Sequence, residues 1–512
     1  MIRYTTIVGA LILLFLSGCA VNPVTGERQF MTVSPQDELQ MGEQNYAPMQ
    51  QSQGGLHDVD PALTEYVRNV GAKVASKSGV LLPYEFVVLN NSVPNAWALP
   101  GGKIAINRGL LTELESEAEL AAVLGHEAVH AAARHTAQQM SRSMMMQGLV
   151  LATAVVAGDS DYGNLAVGSA SAAAQLITMK YGRGAELESD RYGMQYMSEA
   201  GYDLAGAITL QETFVRLSES RQSDWLSGLF ASHPPSQERV DANRATAATL
   251  PPGGILGEDA FRLSMQKTID AKPAYDAYDE GRKALSDDKA EEALTLANKA
   301  LDLFPDEANF HALRGDVRLV EDNFEWAVTN YTRAIDRRDG FFYYYLQRGL
   351  ARNELQQLDD AVTDLEHSIE MLPTAPAHFT LGEISEQRGQ TANAIEHYKI
   401  VAKSGGEYGT AAATALARLE LPTNPSGYIA RRCDADANGN LVVTVQNQTE
   451  LTVSGVQIAI SYTDTVGQPR VVRRSISGQI APGKTAGVNT GLGPFSGSSC
   501  PVEVVAAQIV SK

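Results

Sequence analysis

The sequence predicts an α+β, mostly α-helical protein with a helix-rich N-terminal domain, a central α-solenoid and a C-terminal β-sandwich. Apolar residues recur at helical spacing up to about residue 250. Small residues then repeat at steps of 33 or 34 positions, and after residue 428 Val, Thr and Gly alternate in short runs. A chain of 512 residues is too long for one hydrophobic core, so about three domains are expected.

The charge balance limits the expected partners. The chain has 41 Lys and Arg against 60 Asp and Glu, which gives a formal net charge of −19 at pH 7. We expect no nucleic-acid partner, because phosphate binding needs a basic surface. Electrostatic docking on anionic lipid is disfavoured for the same reason. Any attachment to a membrane must therefore depend on something other than charge.

Residues 1–18 have the composition of an export signal. Arg3 precedes a short apolar stretch over 7–16, which is too short for a spanning helix. The Leu-Ser-Gly sequence before Cys19 resembles a bacterial lipobox, so we expect lipidation at Cys19; a plain secretory signal is the alternative. Ala20 in the next position resembles an outer-membrane sorting signal. The expected location is the periplasm, anchored by lipid to the inner face of the outer membrane.

Residues 19–250 are expected to form one helix-rich domain, followed by a linker over 251–273. The stretch 144–179 is rich in Ala and Val, but polar residues interrupt it. It predicts two core or surface-lying helices, with membrane association as the alternative. The clearest patterns elsewhere predict helices from residue 35, over 62–76 and over 116–135, and strands over 84–89 and 96–106, the second interrupted at Pro100-Gly101-Gly102.

Residues 274–420 contain four copies of a repeat. The recurring positions are Gly281, Gly315, Gly349 and Gly382, and, twelve residues later, Ala293, Ala327, Ala361 and Ala394. Small residues at these phases allow two antiparallel helices to touch, and Pro305 and Pro373 end the second helix of their units. This is the tetratricopeptide pattern. Such a stack forms a concave groove that usually binds segments of other proteins; a simple spacer is the alternative.

Residues 428–512 are expected to form a small β-sandwich after a linker rich in Pro and Asn. Turn signals separate runs of alternating apolar residues. Of the three cysteines, Cys433 and Cys500 both lie here, while Cys19 is expected to carry lipid. In an oxidising compartment this pair predicts a disulfide, with two free buried thiols as the alternative.

The chemistry of the chain is indicated by His126-Glu127-Ala128-Val129-His130, inside the predicted helix over 116–135. Positions four apart share a helix face, so both imidazoles can reach one metal ion, and Glu127 beside them can accept a proton from water.

A catalytic zinc ion needs a third protein ligand and an open fourth position. Downstream, Glu186 and Asp190 share a face of another predicted helix, whereas Glu188 points elsewhere and is expected to be solvated. Glu186 is the candidate third ligand. Asp190 is expected to accept the second ring N–H of a ligating histidine.

At this point the chain resembles the HtpX-like and CAAX-protease-type zinc metallopeptidases, a gluzincin family. The matching segments follow the family order: Asn22-Pro23-Val24-Thr25-Gly26, residues 95–102, His126 to His130, Glu186 to Asp190, and Ser232-His233-Pro234-Pro235 with Arg239. The lipobox resembles that of shorter lipoproteins of the family, and the C-terminal β-domain has no counterpart in the match.

The resemblance implies one Zn²⁺ per chain, with His126, His130 and Glu186 as ligands and Glu127 as the catalytic base. It further implies that His233 lies near the metal and can occupy its open position in a latent state. His233 or Arg239 could stabilise the oxyanion of the reaction, or the pair could hold the domain closed; the sequence leaves both open.

The expected function is that of a periplasmic zinc metalloendopeptidase that cleaves unfolded or misassembled outer-membrane proteins. The edge over 96–106 could hold a substrate as an added strand. The alternative is a chaperone-like scaffold whose repeats dock on the outer-membrane assembly machinery while the protease site stays latent. A third hypothesis is a cell-wall hydrolase, but the sequence shows no pattern that predicts a groove for binding glycans.

Overall fold

The structure is a computed structural model that describes residues 19–147, 167, 180–219, 227–463, 467–493 and 500–510. The predicted signal peptide over 1–18 and nearly all of the two helices predicted over 144–179 lie outside the described residues. Contacts divide the chain into two compact units, Met1–Pro373 and Thr374–Lys512. In the described part of the chain, no helix combines the length and the apolar character that crossing a membrane would require. The described fold is mostly helical with small sheets, as the sequence predicts.

The N-terminal part of the first unit contains five strands and nine helices in the described ranges. In chain order they are β1 (Cys19–Val21), β2 (Arg28–Phe30), α1 (Pro35–Ser52), α2 (Pro61–Ala75), β3 (Glu85–Leu89), β4 (Ala96–Leu99), β5 (Lys103–Asn107), α3 (Arg108–Leu111), α4 (Glu117–Ala132), α5 (His135–Gln147), α6 (Arg183–Glu199), α7 (Ala205–Glu219), α8 (Ser227–Ser232) and α9 (Gln237–Ala247).

Strands β3, β4 and β5 form a three-stranded sheet with β5 in the centre. Strand β3 is parallel to β5, and β4 is antiparallel to it. The prediction of one interrupted strand over 96–106 is therefore wrong. Gly101 and Gly102 have φ values of +82° and +85°, a backbone region that glycine enters without steric cost, and they reverse the chain between β4 and β5. This turn leaves β4 at the edge of the sheet.

Helix α4 lies in the centre of the N-terminal core. The Ser116 hydroxyl accepts a hydrogen bond from the Glu119 amide and caps the first turn. Every residue from Ala118 to Ala132 is buried, and helix α6 packs closely on one face of α4. The contact is close because Gly125 and Gly193 face each other: a methyl group at position 193 would lie 3.1 Å from the carbonyl carbon of Gly125.

The segment over 251–273, predicted to be a linker, is mostly helical. A single helix, α10 (Glu258–Ser286), runs through most of it and into the first repeat. Phe261 and Met265 are buried in the same core as α4, whereas Ala274 and Tyr275 are buried among the repeats. The helix is stabilised by packing at both ends. The Pro- and Gly-rich sequence just before it gives no indication of this packing.

Antiparallel helix pairs follow in the first unit and repeat at the predicted period. They are formed by α10 with α11 (Ala290–Leu303), α12 (Ala308–Val320) with α13 (Phe324–Arg337), and α14 (Phe342–Glu354) with α15 (Leu358–Met371). The repeated glycines lie where helices touch. A methyl group at position 315 would lie 2.7 Å from the Tyr331 ring, and one at 349 would lie 2.8 Å from Leu365.

Gly315→Ala should lower the free energy of unfolding by about 1–3 kcal/mol, because overpacking of a tight core costs this much. The Tyr331 ring cannot move aside easily, since it is fully buried and its hydroxyl donates a hydrogen bond to Asp316 at 2.7 Å. Chemical denaturation of the full chain measures the change. Gly340→Ala is the matched control, because no atom lies within 4 Å of its added methyl group. Equal effects of the two substitutions would contradict the packing argument.

The repeats of the first unit contact the N-terminal part through buried polar groups. The Arg338 guanidinium donates to the Leu56 carbonyl at 2.8 Å, and the Asn90 amide donates to Glu307 at 3.1 Å. The Gln51 side chain accepts from the Phe342 amide at 2.9 Å. Because Arg338 and Glu307 are buried, breaking these contacts would leave each charged group with fewer hydrogen-bond partners. The repeats of this unit are thus fixed to the domain that contains α4.

The second unit begins with the helices α16 (Ala375–Gln387), α17 (Thr391–Val401) and α18 (Gly406–Glu420), then a short 3₁₀ turn over Pro425–Gly427. Six strands follow: β6 (Ile429–Ala435), β7 (Leu441–Asn447), β8 (Val453–Thr463), β9 (Pro469–Ser475), β10 (Thr485–Asn489) and β11 (Val502–Ile509). They form two antiparallel sheets, ordered β10-β7-β6 and β11-β8-β9, whose inner side chains share one buried cluster. A disulfide joins Cys433 and Cys500, the pair that the sequence predicts.

Candidate active site

Helix α4 places His126 and His130 side by side, because residues four apart lie on the same helix face. Their Nε2 atoms are 3.0 Å apart, and both rings are buried. Burial lowers the pKa of His130 well below its usual value, which keeps this imidazole neutral. Two imidazole nitrogen atoms held this close are better placed to bind one metal ion together than to form a hydrogen bond with each other.

Glu186 on helix α6 faces both rings. Its Oε1 atom is 3.3 Å from Nε2 of His130, and its Oε2 atom is 3.5 Å from Nε2 of His126. The close approach of α6 to α4 at Gly125 and Gly193 makes this contact possible. Burial alone would raise the pKa of Glu186, but the neighbouring His233 and His126 lower it, so the carboxylate is ionised. The structure therefore brings the three predicted ligands together.

The donor set fits a zinc ion. His126, His130, Glu186 and His233 each offer one nitrogen or oxygen atom, and these atoms all lie within 4.8 Å of one another. Imidazole nitrogen and carboxylate oxygen are the donors that zinc takes in catalytic sites, where three protein ligands leave one position free. His126, His130 and Glu186 would hold the ion, and His233 lies at the remaining position.

Glu127 points into the same site. The carboxylate is buried, and its Oε1 atom is 3.6 Å from Nε2 of His233. Among the described residues, its Oε2 atom has no hydrogen-bond partner. Burial raises the pKa of Glu127, although the nearby His233 and His126 oppose this effect. A free buried carboxylate oxygen beside the donor set is what a proton acceptor for water requires.

Asp190 supports His126 from the side opposite the donor set. Its Oδ1 atom is 2.9 Å from Nδ1 of His126, the contact predicted from the helix spacing. Burial would raise the pKa of Asp190, but the Arg239 guanidinium lowers it. A carboxylate in this position fixes the tautomer and the orientation of a ligating imidazole.

Arg239 on helix α9 directs its guanidinium N–H groups at two carboxylates. Nε and Nη2 each contact Asp190 at 2.7 Å, and Nη1 lies 2.9 Å from Glu186. The guanidinium is buried at about 5% side-chain exposure. Of the two roles that the sequence leaves open for Arg239, this geometry favours the one in which it holds the site together.

His233 lies just after helix α8 and reaches the donor set. Its Nδ1 atom is 3.2 Å from Glu186 Oε1 and 3.3 Å from His126 Nε2. Burial would lower the pKa of His233, but Glu186 and Glu127 raise it. The ring is thus packed against two of the three predicted ligands, Glu186 and His126.

Three further residues border the site and were not predicted. The Tyr181 ring stacks on His130 with centroids 3.9 Å apart, and its hydroxyl lies 2.8 Å from the Thr136 hydroxyl. His135 Nδ1 is 2.9 Å from Nδ1 of His130. Nothing in the local sequence marks Tyr181, whereas the third histidine within ten residues was a visible signal for His135.

An apolar cavity opens beside Glu127 and His126. Its larger apolar lining residues are Leu110, Val123, Met194, Met197, Phe214 and Leu229, and the polar side chains of Asp190, Gln211 and Arg239 line it as well. Ala96, the first residue of the edge strand β4, lies at the same cavity. The edge strand β4 therefore borders the cavity beside the donor set.

Comparisons with known proteins agree with this geometry. Residues 61–247 match the model of peptidase family M48. The chain is 26% identical over 276 residues to the beta-barrel assembly-enhancing protease of Escherichia coli K12, which covers 53% of this chain and 55% of that protein. It is 30% identical over 249 residues to the mitochondrial metalloendopeptidase OMA1 of Schizosaccharomyces pombe, which covers 46% of this chain and 70% of that protein.

The match to the Escherichia coli relative spans about half of that protein's length. The family match covers α4, α6 and α9, the helices that carry His126, His130, Glu186 and Arg239. Together, the relatives and the family model show that this chain belongs to peptidase family M48.

Proposed function

We propose that the protein is a zinc-dependent metalloendopeptidase that cleaves unfolded or misassembled proteins and serves quality control of outer-membrane protein assembly. The observation that carries this proposal is the convergence of His126, His130 and Glu186 beside the buried Glu127 carboxylate, whose Oε2 atom has no hydrogen-bond partner among the described residues. An adaptor would have no need of buried ligand atoms within contact distance of one another, since burying charged groups costs free energy.

Within this reaction each residue has a defined task. A zinc ion bound here would supply Lewis-acid chemistry that activates water and polarises the scissile carbonyl. Glu127 accepts the proton of the attacking water and later delivers it to the leaving amine. Asp190 holds the His126 ring in place, and Arg239 neutralises Asp190 and Glu186.

The substrate follows from the surroundings of the site. Strand β4 lies at the edge of its sheet, where an extended chain of any sequence could add as a further strand, because backbone hydrogen bonds carry no sequence selectivity. Unfolded proteins offer such extended segments, whereas folded proteins conceal them.

The position of His233 supports a second candidate, a repeat scaffold with a latent protease site. In this view the repeats dock on the outer-membrane assembly machinery, and His233 keeps the site closed. The Escherichia coli relative named for barrel assembly is consistent with either candidate. We further propose lipidation at Cys19 and a periplasmic location on the inner face of the outer membrane, both on the basis of the N-terminal sequence.

Removal of the metal tests the first candidate directly. The purified chain should contain about one zinc per molecule and digest an unfolded casein. Cleavage should stop when a chelator removes the ion and return on addition of zinc. His233→Ala should cleave faster than wild type if the site is latent. A zinc-loaded chain that cuts no unfolded protein, either as wild type or as His233→Ala, would favour the scaffold.

A further inference from the structure

A chain of hydrogen bonds runs from the second histidine of the site to the N-terminal strand. We propose that His135, Glu188 and Asn22 form a positioning relay that holds His130 in the orientation needed to bind the metal. The inference rests on the proposed function, since it concerns the same metal centre. It also assigns a task to two groups that the expected chemistry leaves unused: the Asn22 motif and the Glu188 carboxylate.

The first link joins two imidazoles. Nδ1 of His130 is 2.9 Å from Nδ1 of His135. If His130 offers the lone pair of Nε2 to the metal, its proton is on Nδ1 and is donated to His135. His135 then carries its own proton on Nε2, which is 3.3 Å from Glu188 Oε1. The direction of donation is the same at both links and ends on a carboxylate, which suits a neutral ligand.

Glu188 is the end point of the relay, and the prediction that it is solvated is wrong. Its side chain is 23% exposed, and its Oε1 atom also accepts a hydrogen bond from Asn22 Nδ2 at 2.9 Å. The carboxylate is therefore held from two sides.

Asn22 can make this contact because its own turn fixes its amide. The Oδ1 atom accepts hydrogen bonds from the amides of Val24 at 2.9 Å and Thr25 at 3.3 Å. The amide oxygen is thus directed into the turn, and the NH₂ group is directed at Glu188. The side chain is buried, although it lies only one residue beyond strand β1. An aspartate here would place a second carboxylate against the first.

The two ligating histidines are therefore supported in different ways. His126 has Asp190 directly on its Nδ1 atom, whereas His130 reaches its carboxylate through a second imidazole. Loss of such outer contacts typically lowers metal affinity by about 10- to 100-fold, because the ligand loses its fixed orientation. The relay thus makes a specific claim about zinc affinity that does not depend on measuring cleavage.

The test measures zinc affinity of the full chain by competition with a chelator, together with the visible spectrum of the cobalt form. Glu188→Gln should weaken zinc binding about 10- to 100-fold and alter the cobalt bands. Glu199→Gln is the matched control, since Glu199 lies exposed on the same helix and, within the described ranges, accepts a hydrogen bond from Gln195. Its zinc affinity should equal that of wild type.

A double-mutant cycle separates a relay from local damage. His135→Phe keeps a ring in place but removes both nitrogen atoms. If His135 and Glu188 act through one link, the double variant should bind zinc about as weakly as the weaker single variant. Asn22→Ala is a second test of the relay. It removes the contact with Glu188 without changing a residue of helix α5 or α6, and it should also weaken zinc binding.

The outcomes are distinguishable. Unchanged zinc affinity and cobalt bands in both Glu188→Gln and Asn22→Ala would overturn the relay, even if wild type binds zinc and cleaves protein. Fully additive effects of His135→Phe and Glu188→Gln would overturn it as well. A wild type that binds no zinc would instead defeat the proposed function.

Discussion

Glu127→Gln should abolish peptide-bond cleavage while zinc binding stays intact. The amide cannot accept the proton of the attacking water, and loss of a positioned general base costs about 100- to 10,000-fold in rate. The shape of the site should persist, because Gln has the size of Glu and Glu127 is not among the three proposed ligands. Digestion of an unfolded casein and metal analysis of the same sample measure the two effects.

The control for this variant is Glu115→Gln. Glu115 is exposed and lies just before the cap of helix α4, so its loss should leave both zinc content and cleavage unchanged. Cleavage by Glu127→Gln at the wild-type rate would defeat the assignment of the base. Loss of zinc in that variant would show that the carboxylate serves the metal and not the proton.

Arg239→Leu should destabilise the N-terminal part of the chain by about 3–5 kcal/mol, because it leaves Asp190 and Glu186 buried without their cation. Such a loss is a large fraction of the stability of an ordinary domain. Chemical denaturation of the metal-free chain measures it most directly, since a bound ion would offset part of the charge at Glu186.

Arg244→Leu is the matched control on the same helix. Arg244 is exposed by 53%, and it pairs with Glu212 on the surface, where ion pairs contribute about 1 kcal/mol or less. If Arg239→Leu costs no more than Arg244→Leu, Arg239 is not the residue that holds the site together. In that case its alternative role at the oxyanion would have to be tested by kinetics.

The parts of the site that the sequence predicts are those that follow from helix periodicity. His126 with His130, and Glu186 with Asp190, are spaced at four residues, so each pair had to share a face whatever the rest of the fold. Asp190 meets His126 at 2.9 Å for this reason. Position 125 could also be predicted to need a small residue, because a close helix contact at the site leaves no room for a side chain.

The parts that the sequence did not predict depend on contacts between distant segments. Periodicity places Glu188 away from the metal, which is correct, but the chain around Asn22 covers that face 166 residues away. Tyr181 stacks on His130 from a segment without regular spacing. The helix through 258–273 was missed for a related reason, since Phe261 and Met265 are buried by partners that local sequence does not reveal.

The short distance between strand β1 and the relay has a consequence for where the enzyme can work. Cys19 precedes Asn22 by three residues, and three residues of extended chain reach about 10 Å at most. If Cys19 is acylated, Asn22 must stay near the lipid headgroups. The zinc site that Asn22 supports then cannot move far from the membrane. A protein substrate would then have to meet the active site close to the membrane surface.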